Sequence, residues 1–222
     1  VPGDPNRVPV IAESLENVIN QGQNREFNAY KGTYKGIDVS VVSTGIGCPS
    51  TAIAVEELSH IGAEVFIRIG TSGSVDKSAK KGDIFIATAA VRDDGTSKQY
   101  IPIEFPAIAS HNVVSSLIKA SKNLNIDSKV GICQSKDSFF GETEPERMPV
   151  APYLDFKWKS WQQGGVGASE MEAATLFTLS QIKRLEAGAI LAIETSDKET
   201  IKKMTEIVLE SITYMEREKN VS

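Results

Sequence analysis

Two glycine turns in this 222-residue chain each carry an arginine. Pro2-Gly3-Asp4-Pro5-Asn6-Arg7 opens the chain, and Arg68 leads into Gly70-Thr71-Ser72-Gly73 at the end of an apolar run, FIRIGTSGS. A glycine turn offers backbone N–H groups unobstructed by side chains, and a nearby guanidinium adds a charged fork. Together they suit a small oxyanion such as phosphate. Each piece also has a plainer reading. PGDPNR alone is a strong turn signal, and Arg25 in NREF alone is a solvated surface charge. Arg68 lies in an otherwise apolar strand and needs a partner, because an isolated buried charge is costly. That partner is either a carboxylate, in a structural ion pair, or a ligand phosphate at the carboxyl end of the strand. Thr71 and Ser72 would add hydroxyl donors there.

Two further stretches carry chemistry. SEMEAAT holds Glu170 and Glu172 around Met171. Residues two apart do not share a helix face, so one carboxylate faces a ligand while the other caps or pairs. The plainer reading is an acidic first turn favoured by the helix dipole. SKDSFFGETEPERMP (135–149) is polar and rich in turn residues, yet contains Phe139 and Phe140. Those rings either tuck into the core or stack on another ring.

Composition excludes several classes. A net charge of −5 leaves no basic stripe for a nucleic-acid backbone, so any phosphate site must be local. Cys48 and Cys133 form no CxxC and no disulfide or zinc framework, which points to a reducing cytoplasm. No apolar run approaches the roughly 18 residues that span a bilayer. No signal peptide is visible, and the abrupt start at a turn leaves room for residues before Val1.

The elements that must position these residues alternate between strand and helix. Residues 37–47 read as a strand running into a glycine turn, and 49–62 as a helix with Pro49 in its first turn and Ile53, Ala54 and Leu58 as its apolar spacing. Residues 63–74 and 82–95 read as strands, 110–124 as a helix and 129–135 as a strand. A helix spans 169–184, with Ser169 as cap and Glu172 completing a capping box. Residues 187–193 form a buried strand and 198–219 a terminal amphipathic helix. This order predicts an α/β fold with a mixed or largely parallel sheet, in one domain over residues 1–222, with no repeats or linkers.

Read in order, PGDPNRV, NREF, STGIGCPSTAIAVEEL, FIRIGTSGS, GDIFIATAAVRDDG, EFPA, KDSFFGE and SEMEAATL resemble the nucleoside phosphorylase-I family, in particular its uridine phosphorylase branch. The resemblance runs from about Pro2 to Ile193. It implies a three-layer α/β/α sandwich whose mixed central sheet is partly a distorted barrel, in a homo-oligomer of dimers that join into hexamers. It implies reversible phosphorolysis, with phosphate as co-substrate and no required cofactor. By the same resemblance Gly3, Arg7, Arg68 and Thr71 bind phosphate, and Arg25 is lent by a neighbouring subunit. Met171 and Glu172 bind the ribose, with Thr71 beside them and Glu170 supporting. Phe139 lies against base and sugar, and Gly73 lines the base pocket. Glu26, Ile46 and Ser50 match positions that hold a potassium ion between paired subunits in some of these enzymes. Arg68 and Glu172 carry the catalysis.

The sequence departs from that pattern at the base. Glu142 stands where uridine phosphorylases of this kind have Gln, and Phe140 where they have Tyr. A carboxylate only accepts hydrogen bonds, so Glu142 suits a ring N–H of uracil, and equally the N1–H and amino group of guanine. Arg147 donates to a base carbonyl or pairs with Glu144 or Glu146. After Ile193 the chain passes almost directly to ETSDKET, where the family has a longer mobile loop. Asp197 there imitates the acid of purine enzymes. Uridine phosphorolysis is the first expectation and a purine nucleoside phosphorylase the alternative. A hydrolytic nucleosidase would have no use for an arginine cage, and a non-catalytic binding protein no use for both a phosphate and a ribose set.

Overall fold

The computed structural model describes residues 1–219, so the expected domain of 1–222 runs past the described residues at its end. Helix α1 (Arg7–Ala12) follows the opening turn. Strands β1 (Glu16–Asn24), β2 (Phe27–Tyr34) and β3 (Ile37–Val42) form an antiparallel sheet in that order. Then come α2 (Cys48–His60), β4 (Val65–Ser74), β5 (Ile84–Asp93), α3 (Ser97–Tyr100), β6 (Ala107–Ile108), α4 (His111–Asn123) and β7 (Lys129–Lys136). They are followed by α5 (Phe139–Thr143), α6 (Ala151–Gln163), β8 (Ala168–Glu170), α7 (Ala173–Lys183), β9 (Glu186–Ile193) and α8 (Lys198–Lys219).

The main sheet has the order β6-β5-β7-β8-β4-β9, and a further β5–β9 pairing closes β5, β7, β8, β4 and β9 into a ring. Pairing is mixed. Strands β4 and β9 run parallel, as do β5 with β7 and β7 with β8; β4–β8 and β5–β9 are antiparallel.

The central strands are buried on both faces, which is why they read as continuous apolar runs rather than alternating ones. Consecutive residues of β9 go to opposite sides. Ile190 and Ala192 join a core with Val113 and Leu117 of α4 and Ile201, Met204 and Ile207 of α8. Leu191 and Ile193 join a second core with Ala52 and Val55 of α2 and Leu176, Phe177 and Leu179 of α7. Helices thus cover both faces, giving the expected three-layer α/β/α arrangement around a mixed sheet.

Two local expectations are corrected, and one element had none. The helix expected from Ser169 begins only at Ala173. Ser169 and Glu170 are strand residues instead, paired to Gln134 and Ser135 of β7, so the capping box does not form. The apolar spacing expected through Ile53 does not hold: Ile53 is 54% exposed, and α2 buries Cys48, Thr51, Ala52, Ala54 and Val55. The β1–β2 hairpin lacks any sequence signal because every residue of β1 is exposed, leaving no apolar alternation to read.

Close packing between β9 and α4 gives a direct test. A Cβ at Gly188 would sit 2.4 Å from Val113 Cγ1, and Val113 is fully buried. Gly188→Ala is expected to destabilise the protein by about 1–3 kcal/mol in urea unfolding, as overpacking does. Combining it with Val113→Ala should cost less than the sum of the two single changes, since each relieves the other.

Candidate active site

A cavity of about 990 Å³ opens at the carboxyl ends of β4, β7 and β8. This is where open α/β sheets hold ligands. Its wall gathers residues far apart in sequence: Gly3 and Arg7 from the opening turn and α1, Arg68, Thr71 and Gly73 from β4, and Met171 and Glu172 before α7. Glu26, Ile46, Phe139 and Glu142 also line it. Ser50 stands behind Glu26, its Oγ 2.7 Å from Glu26 Oε1 and 2.5 Å from Thr44 O.

Arg25 and Arg147 are not on that wall. Arg25 is exposed at the β1–β2 turn, with left-handed φ of 53°. Arg147 pairs with Glu144, its guanidinium 5.7 Å from the Phe140 ring centre. Phe139 and Phe140 do not tuck into the core: they are 55% and 53% exposed and meet edge to face.

Arg68 is the centre of the arrangement. Its guanidinium folds back over Gly70, where a Cβ would come within 2.7 Å of Arg68 Cζ; the glycine two residues on, on the same strand face, makes room for it. Nε donates to Glu170 Oε2 at 2.9 Å, and Nη2 pairs with Glu172 Oε2 at 2.5 Å. Both reach it because β8 ends beside β4. Glu170 also accepts from Ser135 Oγ and from the backbone N–H groups of Glu172 and Ala173. It therefore caps the start of α7 in place of Ser169. Glu172 Oε1 accepts from Gly47 N–H at 2.6 Å.

The remaining donor atom, Nη1, is buried and has no hydrogen-bond partner among the described residues. Arg92, the chain's other buried arginine on this sheet, shows the contrast. Its Nε bonds Ser97 Oγ, Nη1 bonds the carbonyls of Pro102 and Phe105, and Nη2 those of Ser97 and Ile101. Arg92 is a saturated structural arginine. Arg68 keeps one side of its fork for something else. A Cβ at Gly3 would lie 3.6 Å from that free Nη1. Ser72 Oγ, on the same wall, is likewise buried without a partner. Arg7 adds a second guanidinium, with Nη2 donating to Thr71 Oγ1 at 3.2 Å. Leaving buried donors unpaired is unfavourable in a sealed core, so their concentration here marks a place for an acceptor-rich ligand.

Burial opposes the charge of Arg68, but the fields of Glu172 and Glu170 overcome it and hold its pKa above the ordinary arginine value. Burial pushes the Glu172 carboxyl up, with Arg68 opposing. Burial lowers the Arg7 pKa, with Asp4 opposing. Asp197 is no candidate acid. Its carboxylate accepts from Thr195 Oγ1 and from Thr200 N and Oγ1, which hold its pKa well below the usual range. It caps α8. Both cysteines are buried, and burial raises their thiols, so neither is a nucleophile.

Residues 1–219 match the model of the phosphorylase superfamily. The chain belongs to that superfamily. It is 45% identical over 193 residues to a uridine phosphorylase of Treponema pallidum, an alignment covering 87% of this chain and 75% of that protein. It is 44% identical over 195 residues to a uridine phosphorylase of Thermococcus kodakarensis (87% and 70% covered). It is 40% identical over 194 residues to a guanosine phosphorylase of Halorubrum lacusprofundi (87% and 76% covered). The expected family is thereby shown, and with it an enzyme that uses phosphate as co-substrate.

Against that background, Lys136 and Ser169, both on the cavity wall, were not foreseen from the sequence as site residues, whereas Ser72 was. Lys136 carried a usable signal. Like Arg68, it is a buried cation in a strand, and it stands at that strand's carboxyl end. Ser169 was hidden by the helix expected there.

The Arg68 clamp predicts an asymmetry between its carboxylates. Glu170→Ala strands the Arg68 Nε, Ser135 Oγ and two backbone N–H groups at once. It should cost about 3–5 kcal/mol in urea unfolding, the range for breaking a buried ion pair. A loss under about 1 kcal/mol would show that Glu170 does not organise the site.

Proposed function

We propose that the chain catalyses phosphorolysis of a nucleoside, in the first place uridine plus phosphate to uracil plus ribose 1-phosphate. The observation that carries this reading is the buried Arg68 whose Nη1 is unpaired beside Gly3, Arg7 and Thr71. Phosphate binds there, gripped by the two guanidiniums, the Thr71 hydroxyl and the backbone at Gly3. Glu172 and Met171 face the ribose. Glu172 has a lone pair on each oxygen left over from Arg68 and Gly47, and accepts from the 2′- and 3′-hydroxyls. As the glycosidic bond lengthens, positive charge builds on the ribose, and the held phosphate stabilises it and then attacks C1′. The base sits against Phe139, Gly73 and Glu142. The names of the Treponema and Thermococcus relatives support uracil as that base.

A second reading is a guanine-type substrate. It is favoured by the carboxylate of Glu142 and by the guanosine phosphorylase among the relatives. Purified protein should release uracil from uridine only when phosphate is added, with a higher kcat/KM than for guanosine or inosine. Preference for guanosine would replace the first reading by the second. Release without phosphate would make the enzyme a nucleosidase and sink both.

The active unit is a homodimer, on this reading, assembled further into a hexamer and working in the cytoplasm. Ile46 is 77% exposed next to the Glu26–Ser50 pair, and Ile53 is exposed on the following helix, which gives an apolar surface for a second copy beside the site. Arg25, exposed nearby in sequence, reaches the phosphate of that copy. Glu26, Ser50 and the Ile46 carbonyl would give a potassium ion three oxygen ligands from each chain, the hard donors such a cation takes. Among the described residues, no helix is long and apolar enough to cross a membrane.

Lending of Arg25 is tested by mixing. Arg25→Ala and Arg68→Ala proteins, each inactive, are combined under conditions that exchange subunits. One site of a mixed dimer then carries both lesions and the other neither, so activity returns to about a quarter of the wild-type value for random pairing. Verified mixed dimers that stay inactive would make Arg25 a surface charge of its own chain.

A further inference from the structure

The base end of the cavity holds an ion pair that the reaction so far leaves unused. Lys136, at the end of β7, is 7% exposed. Its Nζ pairs with Glu142 Oε2 and donates to Ser169 Oγ at 2.8 Å. Ser169 Oγ in turn lies within reach of Gln134 Oε1 and the Glu142 carboxylate, and Gln134 Nε2 donates to Asp93 Oδ2. Asp93 is paired with Lys157 of α6. A chain of polar contacts therefore runs from α6 through β5, β7 and β8 to the cavity wall and fixes the Lys136 ammonium there. Two of its three N–H groups have partners. Glu142 Oε1 lies where a side chain on Gly73 would stand, 2.6 Å from that Cβ position. The contacts from Lys136 and Ser169 both go to Glu142 Oε2.

We propose that Lys136 is a catalytic residue that donates its third N–H to a carbonyl oxygen of the departing base, while Glu142 Oε1 accepts from the ring N–H beside that carbonyl. This rests on the phosphorolysis reading above. When the C1′–N1 bond breaks, its electron pair leaves with uracil, and a phosphate oxygen supplies the new pair to C1′. The negative charge left on the ring spreads onto its carbonyl oxygens, and N1 later takes a proton from water. A fixed ammonium at one of those oxygens stabilises charge where it develops. It also cancels the charge of Glu142, which would otherwise face the departing anion unscreened. That is how a carboxylate is tolerated at a position facing a base that leaves with negative charge.

The test compares uridine with 5-fluorouridine, whose base is the more stable anion and needs less help to leave. With saturating phosphate, Lys136→Met should lower kcat on uridine by roughly 10–100-fold, the worth of one hydrogen bond to a charged group. The loss on 5-fluorouridine should be clearly smaller, and phosphate KM should stay within about twofold. Lys136→Arg should recover part of the loss. Adding Glu142→Gln to Lys136→Met should recover part as well, by removing the uncompensated charge. Equal losses on both nucleosides, or full recovery in the double variant, would make Lys136 a structural partner of Glu142 and overturn the proposal while leaving the phosphorolysis reading intact. Wild-type protein without phosphate-dependent uridine cleavage would overturn that reading, and this inference with it.

Discussion

The structure depends on one buried cation held by two buried carboxylates. Arg68 lies within β4 and gives Nε to Glu170 and Nη2 to Glu172. Burying either charge alone would leave its desolvation uncompensated. Together they hold a rigid guanidinium with Nη1 free. The rest of the fold serves that geometry. A three-residue strand, β8, is wedged between β4 and β7 so that Glu170 arrives beside Arg68 and also caps α7. The two apolar cores on either face of the sheet fix β4 and β9 so that their polar ends open into one cavity.

The same device recurs at the other end of the cavity. Lys136 closes β7 and Arg68 lies within β4, each neutralised by acids from other elements: Glu142 of α5 for Lys136, and Glu170 of β8 with Glu172 just before α7 for Arg68. The two cations divide the site by charge. On the proposed reading, one end presents a free guanidinium N–H to the entering phosphate, and the other an ammonium to the leaving base. An acidic protein can run both because each cation is used locally, inside a cavity, where the net charge of −5 matters little.

Much of this was legible in the sequence where covalent pattern dictates structure. The strand runs at 63–74 and 187–193, the helix at 110–124 and the terminal helix at 198–219 all form near their expected bounds. Arg68 announced itself because a cation in an apolar strand must have a partner, and the structure supplies a carboxylate pair and leaves one donor spare. Less was legible where tertiary contacts override local propensity. SEMEAAT carries a good capping-box pattern, yet sheet pairing to β7 takes Ser169 and Glu170, and a carboxylate replaces the serine as cap. Asp197 looked like a catalytic acid by its neighbours TSD, and only its hydrogen bonds reveal a helix cap. The exposed β1 had no pattern to read at all.

The free Nη1 of Arg68 is the claim on which the rest stands, and phosphate titration calorimetry on Arg68→Lys tests it most directly. A lysine keeps a cation for Glu170 and Glu172 but gives up the planar fork and its spare donor. Phosphate affinity should fall by at least about tenfold, equivalent to roughly 1.4 kcal/mol, while the unfolding midpoint changes little. A variant that unfolds at the wild-type midpoint and binds phosphate within about twofold of the wild-type affinity would contradict the account, because Arg68 would then be a structural ion pair and nothing more.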